Sequence, residues 1–118
     1  MGHVRVVART CPVASLSGVA PLRHNRHVHL VEFSLTKPPN APDVSADALL
    51  GALWAGCEHG DGVEHLRVHA ARSGARGVAF LLAPSGASAI EQCRTMCLRA
   101  LTRSGHLTGW ALARPAAV

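Results

Sequence analysis

Eight histidines and four cysteines are the residues of this chain best suited to chemistry, and their spacing decides what chemistry that is. A metal centre needs three or four ligands converging at ~2 Å from one point. The histidines are His3, His24, His27, His29, His59, His65, His69 and His106. His65 and His69 flank Arg67 on one face of a strand-like stretch, His29 lies on the opposite face of another, and His59 sits in a loop. That pattern brings no three together, so these read as surface or core imidazoles. Cys93 and Cys97 stand four apart on an apolar helical stripe, with Cys57 at the end of a second helical stretch. Three thiolates there would suit zinc or copper. There is, however, neither a C-x-x-C motif nor a Gly-rich metal loop, and free Cys is commonly buried as a small apolar residue. No metal and no cofactor are expected. Cys11 has no neighbour shown to lower its pKa.

Nucleophilic catalysis finds no better support. Neither Ser15-Leu16-Ser17-Gly18 nor Pro84-Ser85-Gly86 is a nucleophile elbow. Residues 84–88 open a helix whose free amides would suit an anion, but without a P-loop lysine a turn and cap is the simpler reading. The expectation leans toward a protein that is not an enzyme.

The 118 residues suffice for one domain with a core of its own. With two Phe, two Trp and no Tyr, that core is aliphatic. The net charge of +5 is unevenly placed: residues 1–27 hold Arg5, Arg9, Arg23 and Arg26 and no acid. This basic arm is expected to be a covering or solvated segment, in part disordered or with a short edge strand at Val4, Val6 and Ala8. Nucleic-acid binding through it is an alternative. No apolar run approaches the ~18 residues of a spanning helix, and no signal-peptide h-region follows the first residues. The chain reads as cytoplasmic, with reduced thiols and no membrane partner.

The elements that must position these residues occupy 28–118. Residues 28–35 alternate, with His29, Val31, Phe33 and Leu35 toward the core. Three prolines between Lys37 and Pro42 make a stiff connection. Asp43 or Ser45 then caps a helix carrying Ala46, Leu49, Leu50 and Leu53. Residues 63–71 alternate as an edge strand. After a loop at 72–77, Gly77–Ala83 is an uninterrupted apolar run that reads as a central strand. Ser88 and Glu91 stand in capping-box register before a second amphipathic helix, whose Arg94, Arg99 and Arg103 are expected toward solvent. His106 to Ala113 is expected as a last strand.

The order β-α-β-β-α-β resembles the ferredoxin-like split βαβ sandwich, an α+β fold with an antiparallel sheet and two helices on one face. The resemblance is of architecture and carries no motif, and that fold hosts many functions. It implies an open sheet face presenting Leu30, Glu32, Ser34, His65, Arg67, His69, Ala79, Leu81, His106, Thr108 and Trp110. Phe33 and Phe80 are expected inward, which disfavours RNA binding by stacking. An apolar patch rimmed by polar groups is the anatomy of an interface. The function expected is a non-catalytic accessory or regulatory module that dimerises or binds a protein, peptide or small ligand there. The binding face would consist of Leu30, Glu32, His65, Arg67, His69, Leu81, His106 and Trp110. A rival is a small dimeric α+β-barrel enzyme with His65, Arg67, His69 and Trp110 around a cavity between sheet and helices. The arm folding over the face is the competing fate of the patch.

Overall fold

In the computed structural model, which describes residues 9–10, 26–113 and 115–117, the elements run β1 (Arg9–Thr10), β2 (His27–Thr36), α1 (Ala46–Ala55), β3 (Val63–Ala71), β4 (Gly74–Ala83), α2 (Gly86–Arg103), β5 (Ala111–Leu112) and β6 (Ala116–Ala117). The fold is α+β. One antiparallel sheet has the order β1-β3-β4-β2-β5, with β6 also paired to β2. The apolar run is its centre: β4 pairs with β2 from His27↔Ala83 to Thr36↔Gly74 and with β3 from Val63↔Leu81 to Ala71↔Gly74. The edge strand expected at Val4–Ala8 and the rest of the arm before Arg26 lie outside the described residues, apart from β1 on the outer edge of β3.

Val31, Phe33, Leu35, Leu66, Val68, Ala79, Leu81 and Ala83 of the sheet are buried against Leu49, Leu50 and Leu53 of α1 and Ala89, Cys93, Met96, Cys97 and Ala100 of α2. Leu49, Leu53, Leu66, Leu81 and Met96 are fully buried, each contributing about 2 kcal/mol of transfer free energy. The alternation read in β2 and β3 holds. In β4 it runs the other way: Gly77, Ala79, Leu81 and Ala83 face the helices, while Val78, Phe80 and Leu82 point to the opposite side. Ala79 and Leu81 therefore belong to the core and not to the open face. The reason is steric. Phe33 lies opposite Gly77, and a Cβ there would come within 2.4 Å of its ring, so only a residue without a side chain fits beneath it.

Both helices start on a serine. Ala48 N donates to Ser45 Oγ at 3.1 Å and Ser88 N to Ser85 Oγ at 3.1 Å. The cap of α2 is thus Ser85, three residues before the expected Ser88. Asp43 instead bonds Lys37, whose hydrogen bond and charge hold its carboxyl below the usual range. Strand β4 starts at Gly74, so the hairpin turn is only Arg72-Ser73. The expected last strand is largely absent. Residues 105–107 form a 3-10 turn, Gly109 takes φ +83°, and only Ala111–Leu112 pairs with β2. Trp110 is consequently core and His106 an exposed turn residue, neither on the open face.

A polar clamp ties the connection between α1 and β3 to α2. Arg99 Nη1 donates to Asp61 Oδ2 and to Gly56 O, both at 2.8 Å. Glu58 N donates to Asp61 Oδ2 at 2.8 Å, and Gln92 Nε2 donates to Asp61 O at 2.6 Å. Gly62, at φ +68°, turns the chain so that Leu82 N donates to its carbonyl at 2.7 Å. Arg99 is therefore held inward rather than facing solvent, and Asp61 is a buried acid. Removing one member strands the other. Arg99→Ala and Asp61→Ala should each cost about 2–3 kcal/mol in urea unfolding, and the double variant should cost clearly less than the sum.

Candidate open-face interface

The side of the sheet turned away from the helices is organised by register, because directly paired residues share a face. Three rows cross it. Leu30 (β2), Phe80 (β4) and His65 (β3) form one; Glu32, Val78 and Arg67 the next; Ser34, Arg76 and His69 the third. Val28 opposite Leu82 lies beyond the first row and continues the face. The face has an apolar end (Val28, Leu30, Phe80, Leu82) and a polar end (Glu32, Ser34, Arg67, His69, Arg76). Val28 is 53% and Leu30 38% exposed, which places them among the few large apolar side chains the described structure leaves in water.

Phe80 is the hub. The His65 ring meets it edge-on with centroids 5.8 Å apart, and the Arg67 guanidinium lies 5.2 Å from its centroid. Of the residues expected on this face, Leu30, Glu32, Ser34, His65, Arg67 and His69 are there. Leu81 and Trp110 are buried on the helix side, and His106 and Thr108 lie in the turn after α2. The enzyme-like arrangement is thereby taken apart, since Trp110 is on the other side of the sheet from His65, Arg67 and His69. Phe80, Leu82 and Arg76 were missed. Pairing β4 to β2 with Leu30 against Phe80 is the signal that finds them.

Charge is segregated across the molecule. Lys37 meets Asp43, Arg94 meets Glu91 at 3.2 Å, Arg99 meets Asp61 at 2.8 Å and Arg103 meets Glu58 at 2.9 Å. Arg67, Arg72 and Arg76, all on the β3–β4 hairpin, form no ion pair among the described residues; nor does Glu32. A shallow depression of ≈ 520 Å³ lies over the polar end, lined by Glu32, Ser34, Arg67, His69, Arg76 and Val78 above Gly77 and Phe33.

The other reactive groups are placed differently. Cys93 and Cys97 are buried on α2, and Cys57 Sγ donates to Leu53 O at 3.5 Å. No group of three or more His, Cys, Asp or Glu among the described residues is arranged to hold a metal ion, and no hydrogen bond there joins a serine to a histidine. His29 is half-buried, on the face opposite His65. No described helix is long and apolar enough to cross a membrane. Comparison of the chain with family models, with curated proteins and with solved structures gives no match, so function is argued from this face alone.

The hydrogen bond with Cys93, then burial, then the neighbouring thiols push the Cys97 thiol well above its ordinary range. In the unfolded chain it titrates near ~8.5. Above that pH the unfolded state loses a proton the folded state keeps, so stability falls as pH rises. The chain has no Tyr and a single Lys, groups that would otherwise add to the slope at alkaline pH. The urea midpoint measured under reducing conditions should fall from neutral pH to about pH 10, and Cys97→Ala should flatten that slope while lowering stability at neutral pH.

Proposed function

We propose that this chain is a ferredoxin-like accessory module that performs no catalysis of its own and self-associates through its open sheet face. The observation that carries this reading is the Val28–Leu30–Phe80–Leu82 patch, in which Val28 and Leu30 are exposed and Phe80 and Leu82 half-buried, rimmed by His65, Arg67 and Glu32. The ferredoxin-like assignment is supported by the antiparallel order β3-β4-β2-β5, which joins the β-α-β-β-α-β succession in that arrangement.

A second copy fits the face better than a foreign protein because the face complements itself. Glu32 and Arg67 are free, lie in one row and stand on either side of β4. A two-fold axis running along β4 between two stacked faces sets Glu32 of each protomer over Arg67 of the partner subunit, and Phe80 over its own counterpart. Such an isologous contact closes on itself. It also removes Val28 and Leu30 from water, a gain that scales with the apolar area covered.

Sedimentation equilibrium across micromolar concentrations should show a monomer–dimer equilibrium. Leu30→Gln should weaken it by about tenfold or more while leaving the melting midpoint of the monomer near the wild-type value. A charge swap of Glu32→Arg with Arg67→Glu should restore association lost in either single variant. A wild-type chain that stays monomeric throughout would overturn the reading.

A further inference from the structure

The polar end of the open face holds more positive charge than the self-association above can use. Each copy offers two free guanidiniums, Arg67 and Arg76, against one free carboxylate, Glu32. Arg76 stands directly opposite His69 on β3 and Ser34 on β2, with Arg67 diagonal to it one row away. Like charges close together on a sheet destabilise it, and elsewhere the molecule shows the ordinary solution, a carboxylate beside each of Lys37, Arg94, Arg99 and Arg103. Here that carboxylate is missing for Arg76.

We propose that the cationic end of the open face binds the oxyanion head group, carboxylate or phosphate, of a small organic anion. Two features of the site fit that ligand. The ≈ 520 Å³ depression over Arg67, His69 and Arg76 is of small-molecule size. Arg67 is held against the Phe80 ring at 5.2 Å, so its planar fork is ordered before the ligand arrives, which reduces the entropy lost on binding. Glu32 borders the opposite side. It turns away a second negative charge and accepts from an N–H or O–H of the ligand, which orients the head group toward Arg76 and His69. The ligand's apolar remainder lies on Val78 and Phe80.

All these residues belong to one chain, so the monomer carries the whole site, whereas the stacked dimer takes up Arg67 and Glu32 across its interface and leaves Arg76 for the anion. In that dimer, about an axis along β4, Arg76 meets Arg76 of the partner subunit, and the same anion relieves that repulsion.

The test is titration of the full chain with inorganic phosphate, with benzoate and with chloride at matched ionic strength, reading the melting midpoint and the heat of binding. Light scattering on the same samples reports the oligomeric state, so loss of association and loss of anion binding are separate results. A saturable rise in midpoint with phosphate or benzoate and none with chloride supports the site; a response to one of the two names the head group. Arg76→Ala should weaken that binding by about tenfold or more. Arg94→Ala, which removes an arginine on the helix side, should leave it unchanged. No saturable response to either anion, or one that survives Arg76→Ala, overturns the proposal. So does binding of single-stranded oligonucleotides that tightens with length and weakens steeply with salt while phosphate and benzoate do nothing, which would make the face a polyanion surface.

Discussion

The ladder between β2 and β4 is the constraint from which the rest of the molecule follows. Ten residues of each strand pair without a break, and because side chains alternate with a period of two, one pairing decides the side taken by all the others. With Phe33 set over Gly77, Val31, Leu35, Ala79 and Leu81 must lie beneath the helices, and Leu30, Glu32, Ser34, Val78 and Phe80 must lie away from them. The small residues Gly77, Ala79 and Ala83 on the inner side of β4 leave room for Phe33 and for the side chains of α2. The candidate interface is the other half of the same arrangement.

Local pattern was enough for the elements that alternate. Strands β2 and β3 and helix α1 are legible because polar and apolar residues take turns at the period of the element, and the centrality of β4 is legible because no residue of Gly77–Ala83 is polar. That same purity hides which way β4 faces: Val78, Ala79, Phe80, Leu81 and Leu82 are all apolar, so nothing local marks the inner set, and the larger ring is the natural but mistaken choice for the core. The partner strand holds the missing information. For the end of the chain, Gly109 at positive φ and Trp110 behind it break what looks like an alternating strand. The inward pull on Arg99 is invisible locally, because its partner Asp61 is 38 residues away.

These two kinds of misreading moved the candidate site in one direction. Leu81, Trp110 and His106 leave it, Phe80 and Arg76 enter it, and what remains is more aromatic at its centre and more cationic at one end than composition suggests. Phe80 in this position also removes the ground on which stacking ligands were disfavoured, although one ring already engaged by His65 and Arg67 offers only a narrow platform. The clamp around Asp61 and the thiols of α2 use their chemistry internally: the first fixes where β3 begins, and the second fills space in the core.

The hairpin between β3 and β4 closes with just Arg72 and Ser73. So short a loop cannot be shortened: a codon lost there slides one strand by half a pleat against its neighbour, which would bring charge under the helices and grease into solvent. A codon gained is taken up by a wider turn with a bulge and leaves both faces as they are. Deletions among descendants of this chain should therefore avoid this corner and fall at the proline-rich bend after β2.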